Sequence, residues 1–169
     1  GGCGGPFLKK LHDSLQLWPL VFRDPLLLCS ALYFLLYFDA SGFLRLGLLA
    51  AFLHECGHIL VYCVFLRRFP VIEVTMTGFC MRMDAPARGL SPGRLFWRAA
   101  AGPAANFLLA GIWALRLEPE LSIRGSAFWA ANLLTGGFNL LPVPPLDGAQ
   151  LASCLCEMRR AGKKFKGND

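Results

Sequence analysis

The sequence predicts an all-α polytopic membrane protein of about four transmembrane helices, with a short β-strand or hairpin between the second and third. Three observations carry that prediction. The 169 residues are 55% hydrophobic and only 17% charged, where an ordinary soluble domain carries about 25% charged residues. Mean hydropathy is +0.48, an apolar excess that a chain of this length cannot bury in one core. The third is the distribution: the apolar residues gather into four stretches, and the basic residues fall in the segments between them.

Taken in chain order, residues 1–24 read as a flexible lead followed by an interfacial segment. Gly1-Gly2-Cys3-Gly4-Gly5-Pro6 has the look of a lead or an expression scar. Residues 7–24 mix Lys9, Lys10, His12 and Arg23 with Phe, Leu and Trp18, as a segment lying along a membrane surface would. A core is expected over 25–157 and a basic C-terminal tail over 158–169. The first apolar stretch, Leu26 to Phe38, is short for a span unless it borrows from its flanks. The second, Leu46 to Leu66, would measure about 31 Å as a helix and match the hydrocarbon thickness. The third, Ala99 to Leu115, is rich in Gly and Ala, which suits close helix contact in lipid. The fourth, Ser126 to Leu141, is interrupted by Pro142, Pro144 and Pro145 and resumes from Leu146 to Cys156. A break at membrane depth is tolerated where the freed backbone lines a cavity or packs in protein.

Between the second and third stretches, Val71 to Met83 is rich in β-branched and apolar residues, with Pro70 and Pro86 on either side. It reads as one strand or a small hairpin with Gly78 at a bend. As a folded loop it has no further role; as a sheet edge it could receive an extended peptide by strand addition.

Charge gives an independent check on the layout. With a cytoplasmic N-terminus and four spans, fourteen of the seventeen Lys and Arg fall on one side, leaving Arg45, Arg116 and Arg124 opposite. That is the positive-inside pattern, with both termini cytoplasmic. A net charge of +6 is thereby read as orientation, and nucleic acid is not expected as a partner. The seven cysteines are odd in number and form no CxxC pair, so neither a disulfide framework nor a zinc ribbon is indicated.

The chemistry is concentrated in His54-Glu55-Cys56-Gly57-His58, an HExxH motif in the second stretch. On a helix, positions i and i+4 lie about 40° apart, so His54 and His58 can present two imidazoles to one metal ion. Glu55, about 100° from His54, can act on a nearby water without ligating the ion. Cys56, about 200° away, should face elsewhere, and Gly57 would admit a neighbouring helix or the substrate. Ionisable groups at the centre of a bilayer are expensive and mark function, which disfavours a purely structural role. Catalytic zinc needs a third protein ligand and an open fourth position. Asp147 stands out because it follows the proline break in Asn139-Leu-Leu-Pro-Val-Pro-Pro-Leu-Asp147-Gly148, although Asp-Gly after prolines also reads as a turn.

Taken together, HECGH in one apolar span, Gly102-Pro103-Ala-Ala-Asn106 in the next and NLLPVPPLDG in the last resemble the site-2 protease family of intramembrane zinc metalloproteases. The resemblance covers roughly residues 45–157, in a minimal form close to the sporulation-type branch. It implies that His54, His58 and Asp147 hold one Zn2+, that Glu55 is the general base, and that Asn106 and Asn139 line the active site, orienting substrate or stabilising an oxyanion. It implies a membrane-embedded protein substrate, regulated intramembrane proteolysis, a multi-pass location in a bacterial cell membrane and room for a regulatory membrane partner. The alternative is a catalytically silent membrane zinc protein that binds client helices, against which the intact Glu55 argues. A zinc-handling permease would show more acidic residues in its spans.

Overall fold

A computed structural model of the chain describes residues 14–17, 20–67, 69–75, 78–82, 90–116 and 122–166. The expectation for residues 1–6 lies outside them. Among the described residues five helices form the body: α1 (Pro25–Tyr37), α2 (Phe43–Leu66), α3 (Pro92–Arg116), α4 (Ile123–Asn139) and α5 (Asp147–Lys166). Four strands, β1 (Ser14–Leu17), β2 (Leu20–Arg23), β3 (Val71–Thr75) and β4 (Gly78–Arg82), form one sheet in the order β1-β2-β3-β4.

The sheet is larger than the sequence suggests. The hairpin expected at Val71 to Met83 is present as β3 and β4, antiparallel with Val71 opposite Arg82 and Thr75 opposite Gly78. The segment expected to be interfacial, residues 7–24, forms the β1-β2 hairpin over its described part. β2 then pairs parallel to β3, with Leu20 opposite Ile72 and Phe22 opposite Val74. Four-residue strands whose partner lies some fifty positions away carry no local signal that separates them from an amphipathic segment. β3 follows α2 and β4 precedes α3, so the sheet sits at the end of the bundle where α2 stops.

α1 starts with Pro25, whose missing N–H is no loss at a first helical position. At 13 residues it is about 20 Å long, too short to cross a bilayer alone. The turn into α2 is held by Asp39, whose carboxylate accepts from Leu44 N (3.3 Å) and Arg45 N (3.1 Å). Gly42 supplies a left-handed φ of 76° there.

α2 has one inward stripe, Ala50, His54, Gly57, His58 and Tyr62, at helical spacing. Its other faces expose Phe52, Leu60 and Val64. The same inversion runs through the bundle: the buried polar residues are His54, His58, Asn106, Asn132 and Asp147, while large apolar side chains point outward from every helix. Soluble proteins do the reverse. α3 is central, packing against α2, α4 and α5. Small residues set its spacing. A Cβ on Gly57 would lie 2.6 Å from Ala101 O, and one on Gly136 would lie 3.2 Å from the Asn106 Cβ. Backbones this close are what the small residues of the Gly- and Ala-rich third stretch allow.

Among the described residues, α2 is the one helix both long and apolar enough to cross a membrane by itself. α3 has the length, about 37 Å, but Pro103 and Asn106 lower its hydropathy. α4 is 17 residues, and α5 continues as helix through Lys166, taking in much of the segment expected as a tail.

Candidate metal centre

The HExxH helix, the GPAAN helix and the start of the helix after the proline break meet at one point. His54 and His58 are a turn apart on the inward stripe of α2. Asp147 is the first residue of α5, brought under them by the connection Leu140 to Leu146. That connection packs tightly: a Cβ on Gly148 would collide with Leu140 O and Leu141 O, so only glycine lets α5 begin there.

His54 Nε2 lies 2.9 Å from Asp147 Oδ2, His58 Nε2 lies 3.1 Å from the same oxygen, and the two Nε2 atoms are 3.2 Å apart. All three residues are buried or nearly so. The other ring nitrogens decide what those atoms are. His58 Nδ1 is 2.8 Å from Arg98 O, a backbone carbonyl that can only accept, so Nδ1 carries the proton. His54 Nδ1 is 3.0 Å from Asn106 Oδ1, likewise an acceptor. A neutral imidazole so held directs its Nε2 lone pair at the carboxylate oxygen. Three acceptors about 3 Å apart, away from water, repel one another unless a cation lies among them.

The donor set fits zinc. Ligand atoms about 2.0–2.1 Å from a tetrahedral ion are about 3.3 Å apart, close to the separations here, and two imidazoles with one carboxylate leave a fourth position open. Each ring's second nitrogen bonded to an oxygen is the usual orientation of metal-ligating histidines. Gly102 completes the space, because a Cβ there would collide with His58 Nε2 and lie 2.6 Å from His54 Nε2.

Glu55 is half-buried beside the pair, one residue round the helix from His54. Asn106 is fully buried at the centre, but it faces an imidazole. Asn139, expected to line the site, is half-buried at the end of α4 and donates from Nδ2 to Thr135 O in its own helix (2.9 Å). The buried amide that bonds Asn106 is Asn132, with Asn106 Nδ2 donating to Asn132 Oδ1 at 3.2 Å. Sequence reading passed over it, although two Asn residues two turns apart in an apolar helix are a detectable pattern. Arg98 also went unnoticed: besides its carbonyl, its guanidinium donates to Gln150 Oε1 (2.8 Å), tying α3 to the first turn of α5.

No family model and no curated protein matches the chain. Among solved structures, its fold is similar to that of the site-2 protease from Methanocaldococcus jannaschii, with a TM-score of 0.60, over 86% of this chain and 72% of that one at 20% identity. The likeness is one of fold.

Proposed function

We propose that this chain is an intramembrane zinc endopeptidase of the site-2 type, in a minimal form close to the sporulation-type branch, cutting membrane-embedded protein substrates in regulated intramembrane proteolysis. The observation that carries the reading is the convergence of His54 Nε2, His58 Nε2 and Asp147 Oδ2 within 2.9–3.2 Å, both Nδ1 atoms being committed to acceptors. Likeness of fold to a site-2 protease supports it.

In this reading α1, α2, α3 and the broken unit α4–α5 make four membrane passages, α4 and α5 lying on either side of the proline break. Depth is consistent. His54 and His58 are twelve and eight residues from the end of α2, or about 18 and 12 Å, near the middle of a hydrocarbon core of about 30 Å. Arg159 is twelve residues from Asp147 along α5, again about 18 Å. The Arg98–Gln150 bond directs α5 from the site toward the start of α3. Arg67, Arg94 and Arg159 thus share one end of the bundle, which the positive-inside rule makes cytoplasmic.

A bound zinc would supply Lewis acidity to the scissile carbonyl and to the attacking water. Glu55 takes the proton from that water and returns it to the leaving amine. Asp147 and the two imidazoles are held with their lone pairs inward, and Gly102 keeps the space between them clear. A substrate helix must unwind before its carbonyl is accessible, and β4, an edge of the sheet among the described residues, is a surface on which an extended segment could pair.

The test is Glu55→Gln in cells, with membrane stubs catalogued by proteomics and zinc measured in the purified chain. The expected result is unchanged zinc and accumulation of uncut membrane stubs. Retained zinc with normal cleavage would remove the mechanism, and normal zinc with no stub in either strain would favour the silent client-binding protein.

A further inference from the structure

Asn106 and Asn132 supply no atom to the metal-facing triad, yet both are completely buried. They form a line of hydrogen bonds across three helices, anchored on two backbone carbonyls that cannot reorient. Phe128 O in α4 accepts from Asn132 Nδ2 (2.9 Å), which turns Asn132 Oδ1 toward α3. Asn106 Nδ2 donates to that oxygen (3.2 Å) and to Ala50 O in α2 (3.2 Å). With both of its amide hydrogens directed at acceptors, Asn106 can present only Oδ1 to His54 Nδ1. The proton of His54 is thereby held on Nδ1 and the lone pair on Nε2.

The two histidines differ in one respect. His58 takes its orientation from a backbone carbonyl, which no side-chain substitution removes. His54 depends on side chains alone. Gly136 brings α4 against Asn106 closely enough for Asn132, one turn earlier, to reach it.

We propose that Asn132 is a positioning residue for the metal: acting through Asn106, it fixes the tautomer and ring plane of His54. The inference rests on the reading of His54, His58 and Asp147 as the zinc ligands. An asparagine that merely joined α3 to α4 would contribute to helix association without affecting the imidazole. Relayed orientation predicts a metal phenotype.

The experiment uses the full chain in detergent micelles, with the zinc dissociation constant from chelator competition and the His54 Nδ1–H followed by 15N-histidine NMR. Asn132→Leu should weaken zinc binding severalfold, up to about the tenfold that losing the direct outer partner of a metal ligand costs, and should lose the slowly exchanging His54 Nδ1–H. Asn132→Asp should remain near wild type, because a buried, protonated carboxyl keeps an acceptor for Asn106 and a donor for Phe128 O. If the Leu variant does not fold, Asn132→Ala carries the same expectation. Wild-type zinc affinity and an unchanged Nδ1–H in the folded Leu or Ala variant, even with a lowered melting temperature, would overturn the proposal. His54→Ala separates the two levels. If it loses zinc while the Asn132 variants keep it, only the positioning role fails; if it keeps zinc, the ligand assignment fails as well.

Discussion

Gly102 should be the least replaceable residue in α3, although it carries no side chain. A Cβ at 102 would lie 2.6 Å from His54 Nε2 and closer still to His58 Nε2, where ordinary contact needs about 3.4 Å. The imidazoles would have to retreat by nearly 1 Å. They have little freedom to do so, because Asn106 holds one ring and Arg98 O the other. Zinc–ligand distances are tolerated to within about 0.2 Å, so Gly102→Ala should lose most of its zinc. A displacement of that size also costs about 10²-fold in rate. The assay is zinc stoichiometry by elemental analysis beside cleavage of a processed membrane substrate, with Gly111→Ala as control. A Cβ at Gly111 on the same helix meets nothing within 4 Å, so the control should keep both properties and gain slightly in helix stability. Stoichiometric zinc and normal cleavage in Gly102→Ala would refute the geometry.

Three further outcomes follow from other contacts. Gly57→Ala, whose added carbon would lie 2.6 Å from Ala101 O, should push α2 from α3 and lower stability by about 1–3 kcal/mol, read as a lower melting temperature in detergent. Asp147→Ala should abolish zinc binding while leaving the helical circular dichroism intact, since the contacts it removes are those to the two imidazoles; retained zinc would exclude Asp147 from the site. Asp39 makes a pH-dependent contribution to the start of α2. Desolvation raises its pKa, but hydrogen bonds from Arg45, Leu44, Ser41 and Gly42 outweigh this and hold the carboxyl below its ordinary value. A depressed folded-state value means the contribution is complete above about pH 4 and is lost as pH falls through the lower, folded value. Amide protection at Leu44 and Arg45 should fall in that window, and in Asp39→Ala it should be low at every pH.

What the sequence discloses, and what it withholds, divides along the range of the interactions. HExxH places two imidazoles on one helical face by local periodicity alone, and the structure has them there. Asp147 was legible because carboxylates are scarce in this chain and the proline break is conspicuous, but its convergence on the pair depends on a connection that only Gly148 lets pack. The β1-β2 hairpin was illegible for the opposite reason: its partner β3 is distant in sequence, and four residues of mixed polarity fit either reading. Asn106 and Asn139 were distinguished from other polar residues by motif, not by geometry. In the structure Asn106 bonds the His54 ring, Asn139 bonds its own helix, and the amide beside Asn106 is Asn132. Helix faces are periodic, whereas the partner of a buried amide is decided by how closely two backbones approach, which here depends on Gly136.

X-ray absorption at the zinc edge on the purified, reconstituted chain bears most directly on the metal site. It should find one zinc per chain in a shell of nitrogen and oxygen only, with the outer-shell scattering of two imidazoles, and no such signal in His54→Ala or Asp147→Ala. A chain that purifies without zinc and takes up none, or a zinc shell containing sulfur from a cysteine such as Cys56, would contradict the account.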